Sequence, residues 1–227
     1  MAGVSLKSIN RRAVLRWLGY GGENADEKVT ALMDECEKKV LAAVNGRYTY
    51  RIFDIEENSG ERVTLKGCSL VLTGKSVCEH LKGCTKAALL CGTAGAETDR
   101  LIRMEQASDM ASAVIADAMA GCAVEAVCDA AEEDIGRSCE GMFMTWRFSP
   151  GYGDLPIELQ KQFLEVTNAG RAIGVFANEN SLLTPKKSVT AVIGLSAEKI
   201  ENKRHSCAVC NIKENCTFRQ KGIRCYE

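Results

Sequence analysis

Residues 147–153 read Arg-Phe-Ser-Pro-Gly-Tyr-Gly and follow a short run of residues typical of a β-strand. Proline at position 150 restricts φ, and glycine at position 151 permits a positive φ, so the segment predicts a tight turn at the end of that strand. Such a turn exposes backbone amide and carbonyl groups. Arg147 and Tyr152 would flank these groups with a planar cation and an aromatic face.

This turn has two interpretations on residue types alone. In the first, it is only structural: Arg147 pairs with a neighbouring acid and Tyr152 packs against the protein. In the second, it binds a ligand that carries a carboxylate for the arginine, a positive charge for the aromatic face and an amino group for exposed carbonyls. S-adenosylmethionine is one molecule that offers all three groups.

Outward from the turn, apolar periodicity and turn residues predict helices and strands in irregular order. Helices are predicted at 8–18, 25–44, 74–82, 96–139 (as one helix or two abutting ones) and 156–167. Strands are predicted at 47–55, 61–65, 86–91, 142–148, 172–177 and 188–195, the first two forming a hairpin. Steady strand–helix alternation and a Gly-x-Gly-x-x-Gly fingerprint are both missing from the sequence, which disfavours a doubly wound nucleotide-binding fold. We therefore predict an α+β domain with a largely antiparallel sheet over 1–196 and a separate tail over 197–227.

Acidic residues recur along one face of the helical region 96–139. Glu125, Asp129, Glu132 and Glu133 fall on this face by helical spacing. Such a stripe is typical of a face in contact with water, and it also suits a basic partner. We expect the solvated face and keep the basic partner as the alternative.

The order of short motifs resembles the activation domain of cobalamin-dependent methionine synthase. The resemblance covers roughly residues 90–196 and is most specific from Arg147 onward. It rests on Thr93-Ala94-Gly95, Arg147-x-Ser149-Pro150-Gly151-Tyr152, Gln160, Ile173-Gly174-Val175, Leu183-Thr184-Pro185 and Lys187-Ser188-Val189. Two features depart from the family pattern. Gly153 stands where the family commonly has proline, and the tyrosine-containing segment beyond the last strand is not recognisable.

The resemblance implies a fold, a ligand and a partner. It implies that Arg147 binds the carboxylate of S-adenosylmethionine, that the backbone of Ser149, Pro150 and Gly151 and the residue Tyr152 line the ligand, and that none of them acts in acid–base catalysis. The partner would be a methionine synthase or other corrinoid methyltransferase without its own activation domain, served in trans. Its cobalamin, once oxidised to cob(II)alamin, would be remethylated with an electron from a flavodoxin-like donor.

Four cysteines near the end of the chain suggest a metal centre. Cys207, Cys210, Cys216 and Cys225 form the pattern C-x₂-C-x₅-C-x₈-C in a polar, basic tail. Four thiolates can hold tetrahedral zinc or an iron–sulfur cluster, and His205 can replace one of them. Zinc would stabilise the tail, whereas a cluster would also transfer electrons. A tail without metal, with reduced or disulfide-linked cysteines, is the third possibility. An alternative function is therefore a metal-stapled redox or interaction module that does not bind S-adenosylmethionine.

Composition excludes some classes of protein. A formal net charge of −1 argues against binding to nucleic acid through overall charge. The first twenty residues lack the pattern of an export signal and the apolar stretches are interrupted by charges, so we expect a cytoplasmic protein without a membrane span. The other cysteines are predicted to be reduced and packed in the core, in particular Cys36, Cys68, Cys78, Cys84, Cys91, Cys122 and Cys128. His80 has no partner in the sequence pattern.

Overall fold

The computed structural model of the chain describes residues 2–20, 25–200 and 214–220. The strands in this part are β1 (Ala2–Val4), β2 (Gly46–Asn58), β3 (Arg62–Leu65), β4 (Val71–Thr73), β5 (Lys86–Thr93), β6 (Phe143–Met144), β7 (Phe176–Ala177), β8 (Leu183–Thr184) and β9 (Ser188–Ser196). The helices are α1 (Arg11–Trp17), α2 (Glu27–Ala43), α3 (Lys75–His80), α4 (Ala96–Ser108), α5 (Met110–Ser138), α6 (Gln160–Val166), α7 (Ala169–Ile173) and α8 (Thr217–Gln220), with a 3-10 turn at Ile157–Leu159 before α6.

Seven strands form one sheet in the order β4-β3-β2-β5-β9-β6, with β1 paired to β2 beside this path. All the pairings are antiparallel, including the small separate hairpin of β7 and β8. Strand β2 is long enough to pair with β5 along one edge and with β1 and β3 on the other. The predicted α+β class with a largely antiparallel sheet is confirmed.

Strand β5 lies at the centre of the sheet and is buried at every position after Lys86. Its side chains alternate between two cores, with Leu90 in the cluster beneath α5 and Leu89 in the cluster on the opposite face. A strand that is covered on both faces reads as a continuous apolar run, which explains the Ala-Ala-Leu-Leu-Cys sequence of β5.

Helix α5 covers one face of the sheet along its C-terminal half. Val127, Cys128, Ala131 and Ile135 pack there against β5 and β9. Earlier in the helix, Ala116, Met119 and Ala120 contact α1 and α2, because small side chains allow helices to approach closely. The helix is long and apolar enough to cross a membrane by length and composition, but 61% of its most apolar stretch is buried inside the protein. Its composition therefore matches that of a core helix.

The other face of the sheet carries α3, α6 and the segment that leads into α6. Phe148, Leu155 and Phe163 are buried there in one cluster with side chains of β3, β4 and α3. Phe148 and Leu155 lie on either side of the turn predicted at 149–151. The turn is thus held at both ends by the hydrophobic core.

The boundary between α4 and α5 was not predicted at its actual position. Gly121 and Gly136 are weak helix formers within 96–139, but α5 runs through both, and the break falls at Asp109. Asp109 is extended, and its carboxylate accepts hydrogen bonds from the amides of Ala111 and Ser112. An aspartate that caps a new helix in this way ends the preceding one.

Two predicted strands differ from the structure. The strand predicted at 142–148 is regular only at β6. After it, the Thr145 hydroxyl takes the place of a backbone carbonyl and accepts the hydrogen bond of the Gly194 amide at 2.7 Å. The strand predicted at 172–177 is mostly wrong, since α7 occupies 169–173 and only β7 is extended. Gly174 ends α7 in the left-handed conformation, a common helix terminus that the apolar run conceals.

Candidate functional site

Arg147 follows the irregular segment that continues β6, and it precedes the predicted turn. Pairing with β9 resumes at Phe148, whose amide and carbonyl bond to Val192 at 3.0 and 2.8 Å. Thr145 bonds to Gly194, and the two residues between Thr145 and Phe148 lie outside the regular backbone pairing with β9. This local irregularity lets the Arg147 side chain reach helix α5 instead of a strand neighbour.

The guanidinium of Arg147 contacts three carboxylates on α5. Nη1 donates to Asp129 at 2.9 Å, and Nη2 donates to Glu125 at 2.9 Å. Glu132 completes the group with an ion pair of 3.4 Å. Only 20% of the Arg147 side chain is exposed, compared with 54% for Glu125 and 63% for Asp129. A mostly buried cation is therefore surrounded by acids that open towards water.

The electrostatics of this group are strongly coupled. Burial lowers the pKa of Arg147, but the carboxylates of Glu132 and Glu125 and the hydrogen bond to Asp129 outweigh it and leave that pKa raised. Burial also raises the pKa of Glu132, an effect that Arg147 opposes without cancelling. Arg147 is thus a permanent cation, and burial favours the protonated form of Glu132.

The segment after Arg147 is a compact turn, as predicted. Gly151 has a φ of +92°, which agrees with the expected need for glycine at this position. The Tyr152 amide donates to the Ser149 carbonyl at 3.0 Å, and the Gly151 amide donates to Leu155 at 2.8 Å. The amides of residues 151 and 152 therefore bond inside the turn, which changes the expectation that they face a ligand. Pro150 is buried beneath them.

Tyr152 belongs to an aromatic cluster on the side of the turn that faces α3. Its ring centroid lies 6.0 Å from that of Phe148 and 6.4 Å from that of Trp146. His80 of α3 adds a ring 4.7 Å from Trp146 and 4.9 Å from Phe148, and its Nε2 lies 2.9 Å from the Thr145 hydroxyl. Tyr152 remains 43% exposed, so the aromatic cluster does not bury it completely.

Two surface depressions in the described part of the chain lie away from the predicted site residues. These depressions, of about 560 and 610 Å³, are lined by residues of α5 around Glu133 and by residues of β2 and α3 around Glu79. Neither includes a residue of 147–152.

A search of solved structures finds the same arrangement of elements in the MetH reactivation domain bound to AdoHcy. The superposition has a TM-score of 0.65 and covers 96% of this chain and 82% of that chain. The chain has the fold of the MetH reactivation domain. The two sequences are 14% identical, so the likeness concerns the fold alone. No protein-family model and no curated protein sequence matches the chain.

The reactivation-domain fold is the one implied by the sequence resemblance, and that expectation is confirmed. The departure at Gly153 has a local cause. Gly153 has a φ of +54°, and a Cβ added there would lie 2.4 Å from the Ser76 hydroxyl of α3. Proline holds φ near −65°, so this version of the turn excludes it.

The acidic stripe on α5 is not simply a solvated face. Three of its four members, Glu125, Asp129 and Glu132, contact Arg147, while Glu133 is exposed. The predicted solvated face holds for Glu125, Asp129 and Glu133, which are exposed, and the alternative of a basic partner holds as well, because Arg147 of the same chain supplies it. The structural interpretation of the turn, in which Arg147 pairs with a neighbouring acid, predicted this contact without saying which acid takes part.

The seven cysteines that were predicted to pack in the core are all buried or half-buried. Cys36, Cys91, Cys122 and Cys128 are buried, as predicted, and burial raises the pKa of the Cys128 thiol to about 12. Cys78 is buried, while Cys68 and Cys84 are half-buried against the same core cluster, which agrees with a packing role.

In the tail, Cys216 is half-buried just before α8, whereas Cys207, Cys210 and Cys225, with His205, lie outside the described residues. Within residues 2–20, 25–200 and 214–220, no group of three or more His, Cys, Asp or Glu side chains is placed to hold a metal ion. The metal centre at the four cysteines and the separate tail over 197–227 stay predictions.

Three residues of the site were not singled out from the sequence. Trp146 and Phe148 form the aromatic cluster with His80, and the pattern of apolar residues around Arg147 was the only signal for them. Asp154 bonds to the amides of Lys75 and Ser76 at the start of α3. Only the tertiary structure brings the start of α3 and the segment after Tyr152 together.

Proposed function

We propose that this protein binds S-adenosylmethionine and supports reductive remethylation of cob(II)alamin in a corrinoid-dependent methyltransferase such as methionine synthase. The shared fold supports the proposal, because the neighbour with that fold is a reactivation domain bound to AdoHcy. AdoHcy is the molecule that remains when S-adenosylmethionine gives up its methyl group. The order of motifs from Arg147 to Val189 supports it independently.

The observation that carries the proposal is the Arg147 guanidinium, mostly buried beside the turn. Among the described residues, two of its five N–H donors make hydrogen bonds, to Asp129 and Glu125, and Glu132 forms an ion pair with Nη1 at 3.4 Å. The remaining donors would bind the ligand carboxylate, and the exposed side of Tyr152 and the backbone of Ser149 to Gly151 would line the ligand. These residues would bind the ligand and orient it. The nucleophile is supplied by the corrinoid on the partner protein, so this chain contributes proximity and orientation.

The charge of the site favours a cationic ligand. Three carboxylates face one guanidinium, an excess of two negative charges when all are ionised. S-adenosylmethionine carries a sulfonium, an ammonium and one carboxylate, whereas AdoHcy has a neutral thioether in place of the sulfonium. The acids on α5 would therefore discriminate between the methyl donor and its product through the sulfonium charge.

Calorimetry with both molecules tests the proposal. At about 50 mM salt we expect S-adenosylmethionine to bind roughly fivefold to tenfold more tightly than AdoHcy, with the ratio falling as salt screens the exposed acids. Glu125→Gln should reduce the ratio, and Glu133→Gln, on the same helix but without an ion pair to Arg147, is the matched control. The titration is repeated with a corrinoid-binding domain present. If neither molecule binds in either experiment, the proposed function is wrong.

The proposed partner is a corrinoid methyltransferase that lacks its own activation domain, with a flavodoxin-like protein as the electron donor. If the tail carried an iron–sulfur cluster, the cluster would relay the electron from this donor to the corrinoid. A cytoplasmic location follows from the same proposal, because this reaction takes place on cytoplasmic enzymes. Nucleic acid and membrane have no place in it.

The four cysteines of the tail favour a second candidate, a redox or interaction module stapled by metal. Their spacing suits zinc or an iron–sulfur cluster equally well. Metal analysis and a visible spectrum of protein purified without oxygen distinguish the possibilities. Brown absorbance that is lost in Cys207→Ser and Cys210→Ser indicates a cluster, stoichiometric zinc without colour indicates a staple, and absence of both metals contradicts the candidate.

A further inference from the structure

Helix α3 begins without a capping residue of its own. Its N-cap is Gly74, which has no side chain to accept the first amides. Asp154, 78 and 79 residues further along the chain, supplies the missing acceptor. Its carboxylate accepts the Lys75 amide at 2.7 Å and the Ser76 amide at 2.9 Å. The turn after Arg147 therefore provides the cap of a helix from another part of the fold.

The contact requires two backbones to approach closely. A Cβ at Gly74 would lie 2.6 Å from the Asp154 carboxylate, and a Cβ at Gly153 would lie 2.4 Å from the Ser76 hydroxyl. Each side of the contact thus has a glycine where any side chain would collide. Partial burial raises the pKa of Asp154, but hydrogen bonds from the amides of Ser76 and Lys75 outweigh it and leave that pKa lowered.

The opposite end of α3 holds the other flank of the turn. His80 packs against the rings of Trp146 and Phe148, and its Nε2 is hydrogen-bonded to Thr145. Helix α3 therefore contacts the chain both before and after the turn. Tyr152 lies between these two attachments, in contact with Trp146 and Phe148 on one side and one residue from the Gly153 contact on the other.

We infer that Asp154 is a positioning residue, which fixes the turn at 149–153 on helix α3 and thereby holds Tyr152 in its ligand-facing orientation. This inference rests on the proposed function for its consequence in ligand binding, but not for its structural content. Asp154 acts through Tyr152 and the turn backbone, since its own carboxylate is occupied by α3. Loss of the carboxylate frees the turn from α3, while Phe148 and Leu155 still hold both of its ends in the core.

The test uses Trp17→Phe as a background, so that Trp146 is the sole tryptophan and reports on the aromatic cluster. In Asp154→Ala we expect greater quenching of Trp146 by acrylamide and a roughly tenfold weaker binding of S-adenosylmethionine, because misplaced binding groups lose orientation. Asp154→Asn keeps an acceptor for the amides and should restore most of both signals. Glu158→Ala, an exposed acid in the next 3-10 turn, is the matched control and should change neither.

A second variant guards against misfolding of Asp154→Ala. Lys75→Pro removes one of the two amide donors at the first position of α3, where helices tolerate proline. It should raise Trp146 quenching in the same direction. Unchanged quenching and unchanged affinity in both folded variants overturn the inference. If the parent protein binds no S-adenosylmethionine, the proposed function fails while Trp146 quenching still decides the role of Asp154.

Discussion

Replacing Arg147 by alanine is expected to abolish measurable binding of S-adenosylmethionine and to lower the free energy of unfolding by about 2 kcal/mol at neutral pH. The variant leaves Glu125, Asp129 and Glu132 close together without their cation. Complete burial would make the loss larger, but two of the three acids are more than half exposed, and water screens their repulsion.

The stability loss has a defined pH dependence. Burial already raises the pKa of Glu132 with Arg147 present, and removing the guanidinium raises it further. An acid with a raised pKa in the folded state is destabilising when ionised, and this effect disappears as pH falls through its folded pKa. The difference in stability between parent and variant should therefore be largest near pH 7 and shrink towards pH 4. Denaturant titrations of both proteins across this range measure it.

Two controls separate the charge of Arg147 from its binding role. Arg147→Lys keeps the cation but loses the planar fork, so it should retain much of the stability and little of the affinity. Arg137→Ala removes an exposed arginine of α5 that pairs with Asp134 three residues earlier, and it should change neither. Equal binding of S-adenosylmethionine by Arg147→Ala and the parent protein would contradict the assigned role.

Replacing Leu155 by alanine is expected to lower the free energy of unfolding by about 2–5 kcal/mol, because it leaves a cavity in a packed core. Leu155 is 2% exposed and belongs to the cluster that contains Phe148 and Phe163. Its backbone closes the turn through hydrogen bonds with Gly151 and Tyr152. The cavity therefore lies beneath the proposed ligand-binding turn, and affinity for S-adenosylmethionine should fall as well.

Ile157→Ala is the matched control for this prediction. Ile157 is an aliphatic residue of the same size two positions later, but it is 39% exposed. We expect it to lose less than about 1 kcal/mol, since little apolar surface leaves the core. Denaturant unfolding of the two variants under identical conditions measures the difference. Similar losses in both would show that Leu155 is not the core anchor of the turn.

The elements predicted correctly are those whose signal is local. The hairpin of β2 and β3, the strands β5 and β9 and the helix α2 combine a clear period with end signals in their own residues. The failures at 142–148 and 172–177 have non-local or masked causes. Thr145 bonds to Gly194 of another strand. The apolar run at 172–177 resembles a strand, although Gly174 ends a short helix there.

The candidate site shows the same division. Residue types and spacing identified Arg147, the turn and the acidic face of α5 as separate features. Asp129 and Glu125 lie 18 and 22 residues before Arg147 in the chain. The packing of α5 on the sheet decides which residue the acidic face contacts. The Asp154 contact with α3 spans a still longer distance along the chain.

The sequence by itself determined the α+β class, the turn at 147–153 and the need for glycine at position 151, because these depend on periodicity and on backbone conformation within a few residues. Only the tertiary structure decided that Arg147 is held by three carboxylates, that Tyr152 joins an aromatic cluster and that position 153 excludes proline. Those outcomes depend on which surfaces meet when α3 and α5 cover opposite faces of one sheet, and local sequence carries no record of such contacts.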